Sequence, residues 1–168
     1  MLIENAKRYA IDVVSGKEIT TNEVKKQCEW FLEDVQKQED ISFPYYLDED
    51  ELIKVEGILS LINFATGLNV IGSPVLYGLW DFQAFFIANI FGWRFKEDNK
   101  KFRYRDVTLY IARKNAKTFI CALVIIILML TEDKYSEFYS ICLDRDLAGE
   151  VRKAMTQLIE ASPAINIF

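Results

Sequence analysis

Apolar residues recur at helical spacing through the first third of the chain. Leu2, Ala6, Tyr9 and Val13 share one face over residues 2–14, and Gly16 follows as a C-terminal stop. Thr20 and Glu23, three residues apart, form a capping box. The helix they open carries Val24, Cys28, Phe31, Leu32 and Val35 on one face and runs to about Gln38. A loop with Pro44, Tyr45 and Tyr46 follows. Asp48 then caps a third amphipathic helix whose apolar face is Leu52, Val55, Ile58, Leu59 and Ile62. The pattern predicts a helical amino-terminal arm over residues 1–66.

Gly67, Gly72, Ser73 and Pro74 mark the clearest boundary, so a second region is expected over residues 75–168. The stretch WDFQAFFIANIFGW, from Trp80 to Trp93, is apolar on nearly every side, as a buried helix would be. The charged residues 94–106 read as a hairpin or exposed loop. Val107 to Ala112 is a short β-like run, Lys117 to about Thr131 a helix, and Ser136 to Leu143 a second strand. Asp144 caps a last helix with Leu147, Val151, Met155, Leu158 and Ile159 on one face. Strand, loop, helix, strand, helix is the start of a parallel sheet. The expected class is α/β, a helical arm followed by an incomplete parallel sheet.

Composition narrows the chemistry. The 168 residues are 51% hydrophobic and 14% aromatic, enough for one real core. A net charge of −5 argues against coating nucleic acid by bulk electrostatics, though not against a local basic patch. Histidine is absent, which removes His-based triads, His general bases and the usual catalytic zinc sets. Cys28, Cys121 and Cys142 form no CxxC and read as thiols of a reduced, intracellular protein. Met1 to Ala10 carries charges throughout, so no signal peptide is expected. The apolar run Phe119 to Leu130 is 12 residues long, short of the ~20 that span a bilayer. It is expected to be a buried helix, with no membrane partner.

At the junction of the expected strand and helix stands ARKNAKT, residues Ala112, Arg113, Lys114, Asn115, Ala116, Lys117 and Thr118. It reads as a phosphate-binding (Walker A) loop without its glycines. In G-x-x-x-x-G-K-[S/T], backbone N–H groups wrap phosphates, the Lys meets the β/γ charge and the hydroxyl meets Mg²⁺. Opening a helix adds unpaired N–H groups and a positive dipole end. The alternative is a solvated basic turn. Ala116 acts in either of two directions: at φ > 0 its Cβ costs roughly 1–2 kcal/mol, whereas in right-handed geometry Ala favours the helix by up to about 1 kcal/mol over Gly.

The chain resembles the large subunit of double-stranded DNA bacteriophage terminases, in the group whose loop reads ARKNGK[S/T]. YAIDVVSGKEITTNEVKKQC, FPYYLDED, FQAFFIANIFGW and FRYRDVTLYIARKNAKT all look like that family in its order. YSICLDRDLAGEVRKAMTQLIEASPAI looks like its next strand and helix, with Leu147 where a Gln is common. The likeness is expected to cover nearly the whole chain. It implies a P-loop ATPase, a hydrolase whose ATP and Mg²⁺ chemistry pumps viral DNA into a capsid in the bacterial host cytoplasm. The partners it implies are double-stranded DNA, the portal protein and the small terminase subunit. By the same resemblance, Lys117 contacts the β/γ-phosphates, Thr118 holds Mg²⁺ and Arg113 senses or stabilises the γ-phosphate. Gln83, with Trp80 and Phe82, matches the adenine-recognition segment. An amide can pair with the adenine edge and an aromatic face can stack on it, although Phe82, Phe85, Phe86 and Phe91 also suit a plain core.

The remaining carboxylates read as structural. Asp48, Glu49, Asp50 and Glu51 suit a solvated helix start. Glu132 and Asp133 imitate a Walker B ending but follow a helix, and Asp144 suits a helix start. No hydrophobic strand ending in Asp-Glu follows the last helix. The expectation is therefore an amino-terminal portion of a terminase, lacking the Walker B strand and nuclease domain and not competent for hydrolysis alone. An unfinished sheet would expose an edge strand, a route to homo-oligomers. Against this stand a non-enzymatic interaction module or decayed prophage remnant, and an unrelated small kinase.

Overall fold

A computed structural model describes residues 1–66, 71–132 and 135–166. Gly67 of the expected boundary and Asp133 of the Walker B-like pair lie outside the described residues. The elements in order are α1 (Leu2–Val14), α2 (Asn22–Lys37), β1 (Tyr45–Leu47), α3 (Glu49–Leu61), α4 (Val75–Gly78), α5 (Asp81–Gly92), β2 (Trp93–Phe95), α6 (Lys117–Thr131) and α7 (Arg145–Glu160). They divide into two compact units, residues 1–56 with 79–107 and residues 57–78 with 108–168. Among the described residues no helix is long and apolar enough to cross a membrane.

The first unit is built around α5. Its apolar residues surround the helix, so Ala84, Ile87, Ala88 and Phe91 are fully buried. The small stripe Leu2, Ala6, Ala10 and Val13 of α1 is buried too, and α1 packs against both α5 and α2. The Arg8 guanidinium holds both oxygens of Asp81, at 2.9 and 2.7 Å, tying α1 to the first turn of α5. The helix α1 ends at Ser15, and Gly16 takes φ +81°, where only glycine is unstrained. The cap of α2 is one residue later than the capping-box pattern expects. Thr21, not Thr20, accepts the Val24 N–H, at 3.4 Å.

The strands β1 and β2 pair antiparallel, Tyr45 with Phe95, Tyr46 with Arg94 and Leu47 with Trp93. Of the hairpin or exposed loop expected over 94–106, the hairpin forms in part: Arg94 bridges Phe102 antiparallel and the Arg103 N–H donates to the Trp93 carbonyl at 3.0 Å. Arg94 is buried, with its guanidinium 3.8 Å over the Phe102 ring and 3.6 Å from the Glu51 carboxylate.

In the second unit α6 packs on α7. Ile120, Ala122, Leu123, Ile126 and Ile127 of α6 are buried, and Phe119 stacks on Phe64 at 5.5 Å. Buried Ser162, just past α7, accepts the Asn63 N–H at 2.8 Å, while the Asn63 amide donates to the Ala161 carbonyl at 3.1 Å. These bonds fix the end of α7.

The α/β expectation does not hold. The fold is helical with one two-stranded antiparallel sheet, and no parallel P-loop sheet is seen among the described residues. Residues 107–112 and 136–143 belong to no strand, and Tyr110 and Ile141 stand 97% and 92% exposed. A run of β-branched and aromatic residues sets a backbone preference but supplies no neighbour. Parallel pairing needs partner strands brought from far along the chain, each 4.7–4.9 Å away. No such partner strand is seen among the described residues, so neither run joins a sheet.

Candidate functional site

The junction of the loop with α6 borders a polar concavity within the second unit. After Ala112 the chain turns at Arg113 and Lys114 and enters α6 at Lys117. Lys114 has φ 67°, and Ala116, the N-cap of α6, has φ 56° and ψ 28°. Both are left-handed, a conformation that costs an L residue roughly 1–2 kcal/mol. This settles the direction left open at Ala116: its methyl is strained, where the glycine of the usual pattern is not. The Asn115 side-chain amide donates to the Ala112 carbonyl at 3.4 Å and closes the turn.

The helical ladder starts with the Ile120 N–H bonded to the Ala116 carbonyl at 2.9 Å. The N–H groups before it have no acceptor within the helix, and the positive end of the α6 dipole lies there. The buried apolar residues of α6 anchor this end from behind, so the loop is carried by a rigid element.

Beside the loop is a cavity of about 550 Å³. Arg113, Lys114, Lys117 and Thr118 line it from the loop side, and Glu150, Lys153 and Gln157 from α7. Four cations thus face one carboxylate among the described lining residues, in a chain whose net charge is −5. The arrangement suits a multivalent anion. Lys117 and Thr118 are exposed, so neither side chain is committed to the core. Burial pushes the Cys121 thiol, one turn into α6, above its ordinary pKa, against the opposing pull of the Lys117 charge. It is not poised as a nucleophile.

The family model described as the ATPase domain of the terminase large subunit matches residues 81–168, just over half of the chain. The chain belongs to the terminase large-subunit ATPase family. No curated protein and no solved structure matches it. The terminase match covers α5, the whole loop, α6 and α7. It also corrects the extent of the resemblance. The match occupies the carboxy-terminal half of the chain, not an amino-terminal portion, and residues 1–80 with their YAIDVV and FPYYLDED segments lie outside it.

The terminase-like residues fall into separate parts of the fold. Ala112 to Thr118 belong to the second unit, and Trp80, Phe82 and Gln83 to the first. Gln83 is buried, and its Oε1 accepts the Trp80 N–H at 3.0 Å, so it caps the start of α5. Trp80 is half exposed and lies 5.8 Å from the Phe82 ring. Both line a cavity of about 440 Å³ with Tyr9, Asp12, Glu18 and Asp81. Phe91 is core, while Phe82, Phe85 and Phe86 are half-buried.

Asp48 and Asp144 are helix caps, accepting the Glu51 N–H at 3.0 Å and the Asp146 N–H at 2.7 Å. Glu132 is the exposed C-cap of α6. Among the described residues no group of three or more acidic or cysteine side chains could hold a metal. Glu150, Lys153 and Gln157 were missed from sequence, because polar residues on an amphipathic helix read as its solvent face.

Proposed function

We propose that residues 112–118 form the triphosphate-binding loop of an ATPase. The single observation that carries this reading is the cationic cavity at the N-terminus of α6, inside the segment that matches the terminase ATPase domain. Lys117 neutralises the β/γ-phosphates, Arg113 adds charge toward the γ-phosphate, and Lys114 and the backbone from Ala112 through Ala116, including Asn115, cradle the chain of phosphates. The Thr118 hydroxyl is the ligand the chain offers to Mg²⁺, which when bound neutralises phosphate charge. These residues position and neutralise; they do not themselves form covalent intermediates.

The match supports residues 81–168 as part of the ATPase domain; the proposed boundaries, 1–66 as a helical arm and 75–168 as the ATPase domain, rest on the sequence pattern, and the two compact units do not follow them. In the complete motor, ATP hydrolysis would drive double-stranded DNA into the capsid, with the portal protein and small subunit as partners. Within the first unit, Trp80 and Phe82 are proposed as stacking faces for a nucleobase. Gln83 would contribute through its amide nitrogen, since its oxygen already serves Trp80.

Calorimetric titration with Mg²⁺–ATP tests the loop. Binding by the unaltered chain and its loss in Lys117→Ala support the assignment; undiminished binding in the variant sinks it. A second reading, a non-enzymatic interaction module, is favoured by the strained Ala116 and by exposed Tyr110 and Ile141. Absence of nucleotide binding both before and after Ala116→Gly would select it.

A further inference from the structure

The cavity beside the loop has a second wall that the phosphate-loop pattern does not include. Glu150, Lys153, Ala154, Gln157 and Leu158 of α7 line it. Their spacing of i, i+3, i+4, i+7 and i+8 places them on one helical face. A stripe of that form is ordinarily apolar when it faces the rest of a unit. Here the buried Leu158 and the small Ala154 are interleaved with an acid, an ammonium and an amide. Polar groups turned toward a concavity require partners there, from solvent or from a ligand.

We propose that Lys153 is a second phosphate-binding lysine, supplied to the loop's anion by α7. The proposal rests on the loop being the triphosphate site. Three features carry it. Lys153 lines the same cavity as Lys117, Lys114 and Arg113. The helix that presents it is fixed, by packing on α6 and by the Asn63 bonds to Ser162 and Ala161. Ala112, Ala116 and Ala154 in the lining leave room for a ligand between the walls. A lysine is suited to this task as a compact charge on a long flexible stem, able to follow a phosphate that the backbone cradles. Gln157, one turn further along the same face, can donate to a phosphate oxygen through its amide.

The test measures Mg²⁺–ATP affinity for the 168-residue chain and for Lys153→Gln, Lys153→Arg and Lys117→Ala, alongside melting temperature without nucleotide. Removing one charged hydrogen bond to phosphate weakens ATP binding roughly tenfold or more. Lys153→Gln is expected to show that loss with its melting temperature unchanged, and Lys153→Arg to recover most of it. Loss of binding in Lys117→Ala together with wild-type affinity in Lys153→Gln overturns the role of Lys153 and leaves the loop assignment standing. A fall in affinity that tracks a fall in melting temperature, with no recovery in Lys153→Arg, also overturns it as a structural effect. No ATP binding by either the unaltered chain or Ala116→Gly overturns both.

Discussion

The Arg103 guanidinium meets the Asp34 carboxylate at 2.6 Å inside the first unit, with only 17% and 10% of the two side chains exposed. The Tyr45, Trp93 and Tyr104 rings lie 4.4, 5.0 and 5.1 Å from the guanidinium carbon, and Phe43 at 5.6 Å. The pair joins α2 to the segment after β2. Breaking a buried pair from one side strands a charge, at a cost of about 3–5 kcal/mol. Arg103→Ala should therefore lower the urea midpoint steeply, and Arg103→Met, which keeps the packing against the rings, should do the same, because Asp34 is stranded either way. Replacing both partners together should cost less than either single change. Trp30, Trp80 and Trp93 all lie in the first unit, so tryptophan fluorescence reports its unfolding. Additive losses in the double variant would count against the pair.

At Ala116 the expected change has the opposite sign. With φ at 56°, replacement by glycine relieves roughly 1–2 kcal/mol of left-handed strain. The freer unfolded chain returns about 0.4–1 kcal/mol of that gain. Ala116→Gly should raise the melting temperature of the second unit modestly, followed by circular dichroism of its helices, and Ala116→Val should lower it. A glycine variant that melts lower than the parent would show that the residue is not strained.

How far the sequence could be read depended on how local the determining interactions are. The ends of α1 and α7 were legible from Gly16 and Asp144 because a cap is made within a few residues. The start of α6 was legible, at Lys117 as its pattern demands, but the strand expected before the loop did not form. Sheet pairing was not, because Val107–Ala112 and Ser136–Leu143 carry strand propensity with no information about a partner. Nor was the Asp34–Arg103 pair, since nothing in a helix register or a charged run marks two ions 69 positions apart as neighbours. Lys153 illustrates the same limit at the candidate site, where the polar face of α7 becomes a cavity wall only once α6 and α7 are packed.

Gly92 ends α5 where the backbone passes close to two leucines. A Cβ added there would lie 2.8 Å from Leu47 Cδ1 and 3.0 Å from Leu52 Cδ1. Both leucines are buried, at 5% and 1% exposure, so their side chains have little room to yield. Overpacking of this kind costs typically about 1–3 kcal/mol. Gly92→Ala should lower the unfolding free energy from urea titration by that amount, and shortening the neighbour in Gly92→Ala/Leu47→Val should recover part of the loss. If the double variant is no more stable than the sum of its single changes, the contact is not what constrains this position.

Cys28 should behave as a buried thiol with a measurable pH signature. It is fully buried in α2, and desolvation, with a smaller push from Glu29, raises its pKa from 9.0 to about 12. The unfolded chain ionises this thiol near 9 while the native protein retains its proton until about pH 12. Its stabilising contribution is therefore complete below pH 9 and is lost progressively as pH rises toward 12, at a limit of about 1.4 kcal/mol per pH unit. Urea titrations from pH 7.5 to 10.5 should show the parent losing stability faster than Cys28→Ala above pH 9. At pH 8, iodoacetamide should modify exposed Cys142 first, half-buried Cys121 more slowly, and Cys28 only on unfolding. Prompt labelling of Cys28 in the native protein, or identical pH slopes for parent and variant, would show that α2 does not bury its thiol against the core.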